Sequence, residues 1–313
     1  MTVTLRPHVL FNSEWDSPLA WKSALALQFD DLGFSTPDDT HSPDAVNIAL
    51  IWKVPREGLH RFRNLKAILS LGAGVNQLDP AQLPDGVPLA RLVDQTLTDT
   101  MVEYAKAAVF RCHRNFDVFE RHGRLEHWQY VAPRLARDTT VGVLGLGELG
   151  SAIATVLRDE GFEVHGWSRS LKPLAGITSH SGSNGLAELA RRCAILVNVL
   201  PLTPETEGIL SRSLFAQCQG TRLINMGRGG HLVEADLLDA LASGHVASAT
   251  LDVTAVEPLP PGHPFWNHPR VLLTPHVAGL SSPATAAQVV ATNIRRALAG
   301  QPLLHQVSAA RGY

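Results

Sequence analysis

Val141-Gly142-Val143-Leu144-Gly145-Leu146-Gly147-Glu148-Leu149-Gly150 is the stretch that decides the fold. A short apolar run enters a turn with glycine at 145, 147 and 150, and Ser151-Ala152-Ile153-Ala154-Thr155-Val156-Leu157 continues as helix-forming chain. Strand, glycine turn and helix in that order make the first βα unit of a dinucleotide-binding sheet. Gly145 makes the tight turn, Gly147 lets the backbone approach a pyrophosphate, and Gly150 permits close packing of helix on strand. The helix N-terminus aims its N–H groups at the phosphates. Leu146, Glu148 and Leu149 complete the expected cofactor-binding turn. A glycine triplet alone is a weak signal, and the strand before it and the helix after it supply the weight.

On either side of this unit the same alternation continues. Val46–Trp52 and Ala67–Leu71 are apolar runs stopped by Pro or Gly, as buried parallel strands are. After Thr139, strands are predicted at Val141–Leu144, Glu163–Trp167, Ile195–Leu200, Arg222–Asn225, Ala247–Val253 and Val271–Leu273, with helices such as Val233–Ala242 between them. Thr98 to Glu120 carries apolar residues at helical spacing with no Pro or Gly, which predicts one long helix. A last helix is predicted from Pro283 to Ala299. The expectation is an α/β protein with two Rossmann-like domains, each a doubly wound parallel sheet. Because the fingerprint begins near residue 140 and a helix follows the last strand, the nucleotide domain (99–279) is placed as an insertion in a discontinuous substrate domain (1–98 and 280–313).

Composition narrows the class of function. The 313 residues exceed what one hydrophobic core usually serves, which favours two domains. Acidic residues number 29 against 27 basic ones, with no block of like charge, so neither a nucleic-acid nor a polybasic membrane role is expected. Cys112, Cys193 and Cys218 are widely spaced and form no metal-ligand pattern, so no metal is expected and the thiols read as reduced. Met1-Thr2-Val3-Thr4-Leu5-Arg6-Pro7-His8 lacks a signal-peptide apolar core, and no apolar run of membrane-spanning length occurs. A cytoplasmic protein is expected.

Three segments near the end carry the chemistry. Arg228 in Asn225-Met226-Gly227-Arg228-Gly229-Gly230, Glu257 in Val256-Glu257-Pro258 and His276 in Thr274-Pro275-His276-Val277-Ala278-Gly279 follow one another in order. They supply what reduction of a 2-keto acid needs: a planar cation for the carboxylate, a proton donor for the nascent alkoxide, and a carboxylate that keeps that donor charged. Arg228 and His276 both follow predicted strands, where ligands of open α/β sheets collect. His231, His245, His263 and His268 lack comparable context.

The strand after the fingerprint ends in Trp167-Ser168-Arg169-Ser170-Leu171-Lys172. The acid that would hold a ribose 2′-hydroxyl is absent; Ser168, Arg169 and Lys172 suit a 2′-phosphate instead, so NADP(H) is expected to be preferred, with NAD(H) possible. Leu71-Gly72-Ala73-Gly74 follows another strand, and it is either an anion-binding turn for a carboxylate or a plain strand end.

Taken as an ordered set, Gly145-x-Gly147-x-x-Gly150, Asn225-Met226-Gly227-Arg228-Gly229, Leu251-Asp252-Val253 leading to Glu257-Pro258, and Thr274-Pro275-His276-Val277-Ala278 resemble the D-isomer-specific 2-hydroxyacid dehydrogenases. Ala49-Leu50-Ile51-Trp52, Leu71-Gly72-Ala73-Gly74-Val75, Gly166-Trp167-Ser168-Arg169, Glu257-Pro258-Leu259-Pro260-Pro261 and Ala310-Arg311-Gly312-Tyr313 extend the likeness toward the bacterial glyoxylate/hydroxypyruvate reductase A group. The resemblance implies that Arg228 binds the substrate carboxylate, His276 donates the proton and Glu257 orients His276. It implies further that Asp252 contacts the nicotinamide amide and that Pro201 and Thr206 flank the cofactor. On the substrate side it implies carboxylate-binding amides at Ala73 and Gly74, after Leu71, and a small-acid pocket shaped by Trp52. A homodimer, with Trp128 entering the partner's pocket, is also implied. Other readings are a dehydrogenase for larger keto acids and a dinucleotide-sensing binding protein of corepressor type.

Overall fold

The structure is a computed structural model and describes residues 6–39 and 42–307. The Ala310–Tyr313 tail and the first five residues used above lie outside the described residues. The chain divides into two compact units, Met1–Leu97 with Ser281–Tyr313, and Thr98–Leu280.

The first unit holds a parallel sheet of β1 (His8–Asn12), β2 (Gly33–Ser35), β3 (Ile48–Ile51), β4 (Ala67–Ser70) and β5 (Leu89–Ala90), in the order β2-β1-β3-β4-β5. Every residue of β3 and β4 is buried, as continuous apolar strands covered on both faces must be. Alternate residues divide between the faces. Val9, Phe11, Ile48 and Leu50 pack with Trp21 and Leu25 of α1 (Pro18–Ala26) and with Ala286, Val290 and Ile294 of the last helix, Pro283–Leu298. Leu10, Ala49, Ile51 and Ile68 pack instead on Leu59, Phe62, Leu65 and Leu78, side chains of irregular segments. That face is closed by loops with no helical period, so nothing in the local pattern announces its covering.

The second unit begins in α2 (Gln95–His113) and α3 (Phe116–Arg124) and continues through β6 (Thr140–Leu144), α4 (Glu148–Asp159), β7 (Glu163–Trp167), β8 (Ile177–His180) and α5 (Gly182–Arg192). It then runs through β9 (Ile195–Asn198), α6 (Arg212–Phe215), β10 (Thr221–Asn225), α7 (Glu234–Ser243), β11 (Val246–Leu251) and β12 (Val271–Leu273). All seven strands are parallel, in the order β12-β11-β10-β9-β6-β7-β8. The chain runs outward from β6 to β8, then returns to lay β9 on the other side of β6. The sheet therefore has its topological switch point between β6 and β9, where a dinucleotide cleft forms in folds of this order.

The single helix predicted over Thr98–Glu120 is two helices. Asn115 takes a left-handed conformation, φ 58°, that Asn tolerates better than most residues. The break turns Asp117 inward, where its carboxylate accepts from Arg222 Nε at 3.0 Å and from Ser248 Oγ at 2.7 Å. Asn115 Oδ1 accepts from Arg222 Nη2 at 2.8 Å. Pairing with residues more than a hundred positions away outweighs the local helical preference.

Candidate active site

The segments singled out above leave the carboxyl ends of adjacent parallel strands. Asn198, Asn225, Leu251 and Leu273 end β9, β10, β11 and β12 in matched register, Asn198 with Asn225, Asn225 with Leu251, and Leu251 with Leu273. Arg228 therefore follows β10, Asp252 and Glu257 follow β11, and His276 follows β12, all at one edge of the second unit's sheet.

At the fingerprint, Gly145 has φ 101°, and a Cβ on Gly150 would stand 1.7 Å from the Gly145 carbonyl oxygen. Only glycine lets the start of α4 lie this close to the turn. A Cβ on Gly147 would meet nothing within 4 Å, so the chain beside the α4 N-terminus is open on the side where a phosphate would approach. Leu146 is buried, Glu148 is exposed and Leu149 half-buried. At the end of β7, Ser168 is buried and its hydroxyl donates to the Ser170 carbonyl at 2.7 Å, while Arg169 and Lys172 are exposed. After β9, Thr206 donates its hydroxyl to the Pro201 carbonyl at 2.7 Å and accepts from Thr203 N–H at 2.8 Å, closing the 201–206 turn. These residues fit a bound dinucleotide, with open backbone at the pyrophosphate turn and cations near the ribose end.

His276 sits in the left-handed region, φ 55°, unusual for a side chain of this size. Asp252, which is buried, holds it there. The Asp252 carbonyl accepts from His276 N–H at 2.8 Å, and its carboxylate accepts from Val277 N–H and Ala278 N–H, both at 2.9 Å, and from Thr274 Oγ1 at 2.6 Å. Because the Thr274 proton is committed to that carboxylate, Tyr104 must donate to Thr274 Oγ1, 2.7 Å away. Burial pushes the Tyr104 phenol up to about 12, so it keeps the proton it donates. Asp252 thus spends four hydrogen bonds on the His276 loop, a structural role that the sequence did not disclose.

Glu257 Oε2 lies 2.7 Å from His276 Nδ1, and Glu257 Oε1 accepts from Thr254 N–H at 3.0 Å. Both side chains are solvent-accessible, at 35% and 38% for His276 and Glu257. Burial pushes the Glu257 carboxyl up, but the bonds from His276 and Thr254 and the charges of His276 and Arg228 hold it below the ordinary value. Glu257 is therefore a carboxylate at neutral pH. Among the described residues His276 Nε2 has no protein partner, whereas Nδ1 is committed to Glu257.

Arg228 is half-buried, with Nη1 donating to the Gly227 carbonyl at 2.8 Å. Burial holds its guanidinium below the ordinary value and the charge of Glu257 opposes that. Its turn is fixed from beneath: Asn225 Nδ2 donates to Arg228 O at 3.2 Å, and Asn225 Oδ1 accepts from Gly227 N–H at 3.3 Å. A Cβ on Gly229 would stand 1.9 Å from the Thr254 carbonyl oxygen, so the turn packs directly on the segment leading to Glu257.

His231 stands in no recognisable motif of the sequence. It is completely buried beside Arg228 and contacts Asn198, Arg228 and Pro201. The available signal was two Asn residues ending consecutive apolar strands, polar groups that need a buried partner.

Trp52, Leu71, Ala73 and Gly74 belong to the first unit. Trp52 lies over the turn, since a Cβ on Gly72 would stand 2.7 Å from the indole. Ser70 Oγ accepts from Gly72 N–H at 3.2 Å, whereas the Ala73 and Gly74 N–H groups have no protein acceptor among the described residues. Trp128 is fully exposed on the single chain.

A doubly wound sheet with a glycine turn at its switch point, and Arg, Glu and His on neighbouring strand ends, defines an NAD(P)-dependent oxidoreductase. Residues 106–278 match the family model described as D-isomer specific 2-hydroxyacid dehydrogenase, NAD binding domain. The chain is 40% identical over 98% of both chains to glyoxylate/hydroxypyruvate reductase A of Serratia proteamaculans. With the protein of that name from Yersinia enterocolitica, identity is 43% over 86% of this chain and 88% of the relative. Among solved structures, a D-isomer specific 2-hydroxyacid dehydrogenase from Xanthobacter autotrophicus Py2, in complex with NADPH and MES, aligns with TM-score 0.93 at 43% identity, covering 98% of this chain and 100% of that one. The NADPH-dependent glyoxylate/hydroxypyruvate reductase of Sinorhizobium meliloti, in complex with NADP and sulfate, aligns with TM-score 0.88 at 36% identity, with the same coverage. The chain belongs to the D-isomer-specific 2-hydroxyacid dehydrogenase family.

Proposed function

We propose that the protein uses NADPH to reduce small 2-keto acids, glyoxylate to glycolate and hydroxypyruvate to D-glycerate. The observation that carries this reading is the 2.7 Å Glu257–His276 pair, within electrostatic range of Arg228. Arg228 binds the substrate carboxylate and polarises its carbonyl. When bound, the reduced nicotinamide supplies the hydride. His276, oriented through Nδ1 by Glu257, delivers its Nε2 proton to the keto oxygen. In the first unit, the Ala73 and Gly74 amides, which have no protein acceptor among the described residues, are donors suited to a carboxylate. Arg169 with Ser168 and Lys172 favours the 2′-phosphate. The relatives named for glyoxylate and hydroxypyruvate, and the neighbours holding NADPH or NADP, support the same substrates and cofactor.

The test is a panel of keto acids assayed with NADPH and with NADH. Glyoxylate and hydroxypyruvate should give the highest kcat/KM, with NADPH ahead of NADH, and Arg169→Asp should narrow or invert the cofactor preference. Equal use of both cofactors by the unmutated enzyme overturns the cofactor assignment. Faster turnover of bulky keto acids supports the broader dehydrogenase, and NADPH binding without turnover of any keto acid supports a sensing role.

The protein is further proposed to act as a homodimer. Leu125, Trp128, Tyr130 and Leu135 are all exposed on one stretch of the single chain, with Trp128 at 101%, and a second copy would cover them. Sedimentation should report a dimer, and Trp128→Ala should raise KM for the small acids and relax discrimination against larger ones. A monomer at working concentration, or unchanged kinetics in the variant, contradicts this arrangement.

A further inference from the structure

His231 is completely buried, and each of its ring nitrogens lies within hydrogen-bond distance of the backbone that shapes the site. Nε2 lies 3.2 Å from the Pro201 carbonyl, which can only accept. Nδ1 lies 3.1 Å from Arg228 N–H and 3.0 Å from Asn198 Nδ2, both donors. The Asn198 assignment is fixed by its own partners, since Nδ2 also donates to Asn225 Oδ1 at 2.9 Å and Oδ1 accepts from Leu200 N–H at 3.3 Å. Only one protonation state satisfies every atom. Nε2 carries the hydrogen and donates to Pro201, and Nδ1 is a bare acceptor for two donors. The Arg228 carbonyl, also 3.1 Å from Nδ1, takes its hydrogen from Asn225 Nδ2 instead.

We propose that His231, as a neutral imidazole protonated at Nε2, is a positioning residue that locks the Arg228 turn for substrate carboxylate and ties it to the Pro201–Thr206 turn. The inference rests on Arg228 being the carboxylate-binding residue, as argued above. Adding a proton at Nδ1 would set an N–H against two N–H donors and release the turn. Burial pushes the ring below the ordinary histidine value, the Pro201 and Arg228 carbonyls oppose this, and the positive charge of Arg228 adds to it. Arg228 is the charged group that faces the ring; the remaining contacts are the Asn198 amide and neutral backbone. The ring is therefore neutral at physiological pH and charges only below the ordinary histidine value of about 6.5, so the lock is present above that pH and lost as pH falls.

Three measurements on the full-length enzyme decide the matter. In the wild type, nitrogen-15 imidazole correlation spectra at neutral pH should show His231 as the Nε2–H tautomer, and KM for glyoxylate should rise as pH falls below about 6.5. His231→Leu leaves the Arg228 N–H and one Asn198 hydrogen without an acceptor, and should raise KM by roughly 5- to 100-fold, the scale of stranding buried donors. His231→Asn, whose carbonyl oxygen can stand near the lost Nδ1, should recover most of that KM yet show no acid rise. A purely structural role would lower the active fraction and leave the pH dependence of KM intact. An Nδ1–H tautomer at neutral pH overturns the proposal, as does a folded His231→Leu enzyme with wild-type KM. If His231→Leu does not fold, the tautomer and the acid rise of the wild type still decide. Arg228→Lys is assayed in parallel: an unchanged KM there refutes the carboxylate assignment, whereas a large loss there with no effect at His231 refutes only the positioning role.

Discussion

His276→Gln is expected to lower kcat by roughly 10² to 10⁴, the usual worth of positioned acid–base catalysis, while NADPH still binds. The amide is close to isosteric with part of the ring, so the loop held by Asp252 should persist. What is lost is the transferable proton. Glu257→Gln probes the same step from the other side. Because Glu257 is held below the ordinary carboxyl value, its negative charge persists through the neutral and mildly acidic range and vanishes only at more acidic pH. Gln keeps a hydrogen-bond acceptor at His276 Nδ1 but removes its charge, so kcat should fall while NADPH still binds. A His276→Gln enzyme with wild-type turnover at neutral pH would refute the general-acid assignment. A Glu257→Gln enzyme with wild-type kcat would show that the 2.7 Å contact has no electrostatic consequence.

Arg228→Ala carries the second large effect. The fork is half-buried, braced on Gly227 O and aimed by a turn whose amide and carbonyl groups are satisfied by His231 and Asn225. Removing a desolvated partner of a charged ligand costs about 2 to 5 kcal/mol. By the same arithmetic kcat/KM for glyoxylate should fall by roughly 30- to 5,000-fold. KM should rise because the carboxylate loses its cation, and kcat should fall because the carbonyl is no longer polarised. Arg228→Lys keeps charge but not the planar fork, so it should recover little. Affinity for NADPH, measured by direct titration without keto acid, should change much less. A loss confined to NADPH affinity would move Arg228 from the substrate to the cofactor.

Much of the second unit is legible in the sequence alone. The strands read at Glu163–Trp167 and Val271–Leu273 match β7 and β12 residue for residue; β6, β9 and β10 differ from their readings by one or two residues at one end, and β11 by one residue at its start and two at its end. Strand β8 and helix α5 were not legible. Ile177-Thr178-Ser179-His180 has too little apolar alternation to announce β8, and Gly182 and Gly185 mask the helix α5.

The sequence by itself determined the nucleotide fold and the order of Arg228, Glu257 and His276, because both are written in contiguous stretches. A strand, a glycine turn and a helix, or an Arg just past a strand end, are local patterns whose physics needs no distant partner. Tertiary structure alone decided the rest. It broke the helix at Asn115 so that Asp117 could meet Arg222 and Ser248, and it turned Asp252 into the clamp of the His276 loop. It also buried His231, a residue that looked ordinary in the chain, between Asn198, Pro201 and Arg228. Each of these depends on which polar atoms meet once strands far apart in sequence stand side by side. A buried donor or acceptor takes its role from those neighbours, and the parallel register that supplies them is absent from any local window.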